Sequence, residues 1–165
     1  MDLFVLRHGT AEPSSPGGDD SGRKLTGKGK DEIRHLAGWM AEQGLSFDVI
    51  ATSPLPRAHE TAVIVAKELG NESRVASWKS LGPGGDIDKV LKDAAKSGRD
   101  SRVLIVGHEP ALSMLISRII SGSDDISVVL GKGSLAKIRN YSVVNDVAVG
   151  ELQWLVSPKL VGTRK

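Results

Sequence analysis

The sequence predicts an α/β fold: a three-layer sandwich with a mostly parallel central sheet, helices on both faces and an antiparallel strand at one edge. Short, largely apolar runs recur at 3–6 (LFVL), 47–53 (FDVIATS) and 102–108 (RVLIVGH), as buried parallel strands require. Stretches with apolar residues at helical spacing follow each of them. Two later segments, 134–140 and 150–156, show the alternation that suits antiparallel pairing. A chain of 165 residues is sized for one domain, 1–165, around one sheet.

Each element has a local reason. After the first strand, SSPGGDDSG (14–22) has loop composition, and its Asp19-Asp20 pair reads as solvated. Thr26 is a helix N-cap; Ile33, Leu36, Ala37 and Met40 follow on one face, and Gly44 ends the helix. After the second strand Ser53 caps a helix with Pro54 at its first position. Ala58, Thr61, Ala62, Val65, Ala66 and Leu69 form its apolar face before Gly70. A weaker strand spans 74–78, LGPGGD (81–86) is a loop, and Asp86 begins a helix to Lys96. Pro110 starts the last helix, with Leu112, Leu115, Ile116 and Ile119 inward and Gly122 as its stop. His35, His59, Lys28 and Lys30 fall on helices as structural or solvated residues. Trp39, Trp78 and Trp154 read as partly buried packing residues.

Composition narrows the function. A net charge of +2 and 4% aromatic residues provide neither a basic stripe nor stacking platforms, so nucleic acid is not an expected partner. The absence of cysteine removes disulfides, thiolate metal sites and a cysteine nucleophile, and fits a reducing, cytoplasmic setting. No apolar run is long enough to span a bilayer, ALSMLISRII being interrupted by Arg118, and MDLFVLRHG lacks a signal-peptide core. No membrane partner is expected.

Open α/β sheets bind ligands beyond the carboxyl ends of their strands. Here those ends carry Arg7-His8-Gly9, Ser53-Pro54 with Arg57 one helical turn on, and Gly107-His108. Two guanidinium forks suit the oxygens of a phosphoryl group, and a helix N-terminus adds free N–H groups. Gly9 permits close backbone approach, and Thr10 lines the same rim by position. No Walker-type loop or carboxylate–histidine metal cluster is present, so neither cofactor nor metal is expected. A covalent route through histidine is then economical, because imidazole with a pKa of about 6.5 is largely neutral at pH 7.

LRHGTAEP, LTGKG, SPLPRAHETA and VGHEP, in that order along nearly the whole chain, resemble the motifs of the histidine phosphatase (phosphoglycerate-mutase-like) superfamily. The short length, the LGPGGD loop and WLVSPKL resemble its SixA-type phosphohistidine phosphatases. The resemblance implies that His8 is the phosphorylated nucleophile and that Arg7, Arg57 and His108 form the phosphate pocket. It implies a hydrolase acting on a phosphohistidine-bearing protein in signal transduction. A small phosphate ester as substrate, a mutase reaction, and a non-catalytic phosphate-binding module are the alternatives. Many family members supply a general acid from an inserted segment, and this chain has little insertion there. Asp86 by position and Glu109 beside His108 are the candidates, although Glu109 equally suits a helix cap. Phosphohistidine offers another route, since its imidazole departs neutral when the other ring nitrogen already carries a proton.

Overall fold

The apolar runs become the strands of one six-stranded sheet in the computed structural model, which describes residues 1–161. Residues 162–165 of the expected domain lie outside the described residues. The elements are β1 (Asp2–Arg7), α1 (Gly27–Glu42), β2 (Val49–Thr52), α2 (Pro56–Leu69) and β3 (Val75–Ser77). They continue with α3 (Ile87–Ala95), β4 (Arg102–Gly107), α4 (Ala111–Ser121), β5 (Leu135–Val144) and β6 (Val147–Val156). The strand order is β3-β2-β4-β1-β5-β6. The β3-β2-β4-β1 block is parallel, whereas β5 runs antiparallel to β1 and β6 antiparallel to β5. The expected antiparallel edge is therefore a hairpin. Its turn is made by Asn145 and Asp146, with φ of 50° and 63°, the left-handed pair that a two-residue hairpin loop needs.

Strand alternation sorts the core into two faces. Leu3 and Val5 of β1, with Val103 and Ile105 of β4, meet Val90 and Leu91 of α3 and Leu112, Leu115 and Ile116 of α4. Phe4, Leu6, Leu104 and Val106 point the other way, onto Ile33, Leu36 and Met40 of α1 and Ala58, Ala62 and Val65 of α2. The four β1 residues are fully buried, each contributing at most ~2–3 kcal/mol of apolar burial. The three-layer sandwich follows from this. Trp154 packs edge-on against Phe4 and Trp39, with ring centroids 6.1 and 5.8 Å apart.

The helix ends mostly follow the local signals. Thr26 accepts the Gly29 N–H at 2.9 Å, Asp86 accepts that of Lys89 at 3.2 Å, and Gly122 closes α4 with a φ of 76°. The start of α2 differs from the expectation. It begins at Pro56 rather than Pro54, with Leu55 as a cap that makes no side-chain bond. Ser53 instead accepts the Leu55 N–H at 3.2 Å in the turn before the helix, and Pro56 takes the first position, where a missing N–H costs nothing. None of the helices among the described residues is long and apolar enough to cross a membrane.

Register brings the carboxyl ends of three strands to one line: Arg7 lies opposite Gly107, and Thr52 opposite Val106. Helix α1 is pressed against the segment that leaves β1. A Cβ built on Gly29 would stand 2.1 Å from the Thr10 carbonyl oxygen, so only glycine permits this approach.

Candidate active site

His8 is 5% exposed and sits where β1 ends, its N–H bonded to the Gly107 carbonyl of β4 at 3.1 Å. Its Nδ1 lies 2.8 Å from the Gly9 carbonyl oxygen. A carbonyl only accepts, so Nδ1 carries the ring proton and Nε2 keeps the lone pair. Burial pushes the pKa of the ring down to about 4; the Gly9 bond opposes this, and the charges of His108, Arg57 and Arg7 add to the lowering. The ring is a neutral base through the neutral pH range.

Arg7 and Arg57 flank it. The Arg7 guanidinium donates to the Leu130 carbonyl at 3.1 Å. Arg57, 6% exposed, donates to the Asp20 carbonyl at 3.0 Å and to the Asp20 carboxylate at 3.1 Å. The His108 ring lies 5.1 Å from that of His8, centroid to centroid, and its Nε2 is 2.8 Å from Ser53 Oγ. Ser53 is fully buried and Nε2 is the acceptor beside its hydroxyl, so we assign the Ser53 proton to this bond, which leaves the His108 proton on Nδ1. Burial also brings His108 down to about 4, with Arg57 adding, Asp20 opposing and Arg7 adding.

Three buried side-chain nitrogens among the described residues have no hydrogen-bond partner: Arg7 Nε, Arg57 Nε and His108 Nδ1. All belong to residues around His8. Buried donors are costly when unsatisfied, so these unpartnered nitrogens, with two guanidinium charges beside His8, suit an anion with several acceptor oxygens. A phosphoryl group has that shape and charge. No set of three or more His, Asp or Glu side chains suited to a metal ion occurs among the described residues.

The other expected residues are placed differently. The Gly9 N–H donates to Thr61 Oγ1 at 3.2 Å, and a Cβ on Gly9 would meet Ile33 of α1 at 2.8 Å. Its missing side chain therefore serves packing against α1. Thr10 donates its hydroxyl to Glu32 at 3.2 Å. The carboxylate of Asp86 is exposed and caps α3, and that of Glu109 accepts the Ser113 N–H at 3.0 Å as well as the Ser113 hydroxyl. Both acids are engaged at helix starts.

Two residues take parts that their sequence positions do not announce. Asp20, expected as solvated, holds the Arg57 fork from 37 positions away, a pairing no local pattern encodes. Thr61 accepts from Gly9 and donates to the Arg57 carbonyl at 2.7 Å, tying the His8 turn to α2; its spacing of four from Arg57 is the one available signal. A cavity of about 440 Å³ opens from Arg57, His108, Glu109 and Asp20 toward the 82–85 loop, Ile87 and Met114.

Comparisons with known proteins place the chain in a family. The model of the histidine phosphatase superfamily (branch 1) matches residues 3–81. An uncharacterised protein of Picosynechococcus is 31% identical over 163 residues, covering 96% of this chain and 98% of that protein. The phosphohistidine phosphatase SixA of Escherichia coli K12 is 28% identical over 161 residues, covering 96% of this chain and 94% of that one. A solved structure of the protein histidine phosphatase SixA complexed with tungstate superposes with a TM-score of 0.84 at 26% identity, covering 98% of this chain and all of that one. With its buried histidine flanked by two arginines and a second histidine, and with relatives along nearly its full length, the chain belongs to the histidine phosphatase superfamily.

Proposed function

We propose that this protein is a metal-independent phosphatase that takes a phosphoryl group onto His8 and releases it to water, with phosphohistidine on a protein as its favoured substrate. The observation that carries the reading is the set of unpartnered donors, Arg7 Nε, Arg57 Nε and His108 Nδ1, around a histidine whose Nε2 lone pair is free. These donors hold the non-bridging oxygens while Nε2 attacks phosphorus in line with the leaving atom. A bond forms from Nε2 to phosphorus as the bond to the leaving atom breaks. The His8 ring then carries both the phosphoryl group and its Nδ1 proton, which the Gly9 carbonyl holds. Water attacks next; the electron pair of the P–N bond returns to Nε2, neutral His8 departs, and the displaced water proton goes to phosphate or solvent.

The acids support the choice of substrate. Asp86 is exposed at the start of α3, and Glu109, which lines the cavity, spends its carboxylate oxygens on Ser113; an alkoxide departs poorly without a proton donor. An imidazole that is protonated on its far nitrogen needs none. The relative named phosphohistidine phosphatase, alike over nearly both full lengths, supports the same assignment. The lack of cysteine supports a cytoplasmic location. A small phosphate ester is the second reading, favoured by the 440 Å³ cavity beside the site.

The test offers wild type and His8→Ala a histidine-phosphorylated phosphotransfer domain and, separately, p-nitrophenyl phosphate. Acid-labile phosphate trapped on wild type alone, with faster turnover of the phosphoprotein, is the expected result. Ester turnover with the phosphoprotein left intact assigns the second reading. Phosphoprotein turnover that survives His8→Ala overturns the nucleophile.

A further inference from the structure

We propose that the Asp20 carboxylate selects the leaving group of this site, holding the N–H of a departing imidazole and opposing a departing oxyanion. The inference rests on phosphohistidine being the substrate. Asp20 sits on the 14–22 loop, whose base is pinned by a bridge between Ala11 and Leu25 and by the Glu12 N–H on the Lys24 carbonyl at 2.8 Å. One carboxylate oxygen accepts from Arg57 at 3.1 Å and the other from Arg23 at 2.9 Å. Each oxygen keeps lone-pair capacity after that one bond, and the side chain is 65% exposed. It lines the same cavity as Arg57 and His108 and is bonded to the Arg57 guanidinium, so in the proposed complex the cavity beside this carboxylate is the space open to the leaving group.

Asp20 is fit to accept a proton bond and unfit to supply a proton. The Arg23 bond first, and then the charge of Arg57, hold its carboxyl below the usual range, so it stays ionised at neutral pH. Its charge reaches the site, since it works against Arg57 and Arg7 at the His108 ring.

The reaction uses that fixed charge in one direction. In N-phosphorylated imidazole the far nitrogen must be protonated for the ring to leave as neutral imidazole. A carboxylate accepting from that N–H favours the protonated, reactive form. The bond from His8 Nε2 to phosphorus forms, the substrate's P–N bond breaks with its electron pair going to the ring, and the ring leaves with its N–H still held by Asp20. With a phosphate ester, negative charge builds instead on the departing oxygen, and the same carboxylate repels it. His8 and the substrate ring are then handled alike, the Gly9 carbonyl holding one N–H and Asp20 the other.

Asp20→Asn removes the charge and keeps a carbonyl oxygen for Arg57. The readout is the ratio of kcat/KM for phosphoimidazole to that for p-nitrophenyl phosphate. A local charge worth about one pKa unit on the leaving ring predicts a ratio about tenfold lower in Asp20→Asn, with phosphoimidazole turnover down and ester turnover up. Asp20→Glu, which keeps the charge, moves the ratio back toward wild type. An equal fall on both substrates assigns Asp20 to orienting Arg57 alone and overturns the proposal, as does an unchanged ratio. If wild type leaves both phosphoimidazole and the phosphoprotein intact, the substrate reading itself falls and takes this inference with it. Normal wild-type turnover with an unmoved ratio removes only the role of Asp20.

Discussion

Acid stability reports directly on the buried His8 ring. The His8 ring titrates at about 4 in the folded chain, against 6.5 for an unperturbed histidine, chiefly because burial penalises its charged form. Above pH 6.5 neither state holds the extra proton, and His8 adds no pH dependence. Between 6.5 and about 4 the unfolded chain takes up the proton while the folded chain does not, so stability falls as acid is added. Below about 4 both states are protonated and the loss is complete. At about 1.4 kcal/mol per pH unit, that window amounts to roughly 3 kcal/mol. His8→Asn removes the titration and places an amide nitrogen where Nδ1 donates to Gly9. Urea unfolding of both proteins at about pH 7.5 and about pH 4 gives the comparison. The stability difference between them shifts by roughly 3 kcal/mol in favour of the variant on acidification. Parallel pH curves would refute the reasoning, because they would mean that His8 binds its proton as readily folded as unfolded.

Arg57→Lys loses its Nε–H and its fork together, and kcat/KM falls about a hundredfold or more on either substrate with the fold intact by circular dichroism. Ser53→Ala frees Nε2 of His108 to carry the proton that belongs on Nδ1; turnover drops about tenfold, and the unsatisfied ring nitrogen costs about 1–3 kcal/mol in urea unfolding. Two alanine substitutions in α1 have opposite signs. Gly29→Ala drives a Cβ to 2.1 Å from the Thr10 carbonyl oxygen, which costs about 1–3 kcal/mol by overpacking and lowers turnover by moving the segment after His8. At Gly38 a Cβ meets nothing within 4 Å, so Gly38→Ala raises the melting temperature through helix propensity worth about 0.5–1 kcal/mol.

What the sequence made legible was what neighbouring residues decide. The apolar runs ending in Arg7, Thr52 and Gly107 became parallel strands whose register lines up their carboxyl ends, and Arg7, His8, Arg57 and His108 gathered there. The start of α2 was misplaced because Ser53 and Pro54 form a plausible cap by themselves; the His108 ring, 55 positions away, claims the hydroxyl. The hairpin turn carried a local signal, VVNDVAV, with an Asn-Asp pair between alternating valines, and its positive φ values put β5 and β6 farther into that stretch than the strand patterns reached. Asp20 had no such signal, since composition describes its loop correctly as solvated and says nothing of where the loop folds back.

Gly9 is the most informative difference. A glycine after a strand-end histidine invites the reading that a ligand needs the space. In the fold every part of Gly9 is already committed: its carbonyl to His8 Nδ1 at 2.8 Å, its N–H to Thr61 at 3.2 Å, and its bare Cα to Ile33, which a Cβ would meet at 2.8 Å. Those commitments all act on His8. They fix the tautomer, tie the turn to α2 and press it onto α1, so the imidazole can neither rotate nor exchange its proton position without breaking backbone contacts. A nucleophile that must point one nitrogen at phosphorus, and keep the other protonated when it later departs, needs that rigidity more than it needs an extra donor to the phosphate. Gly9 therefore acts through the orientation of His8, and in the proposed reaction the unpartnered nitrogens of Arg7, Arg57 and His108 are the donors left for the phosphoryl group.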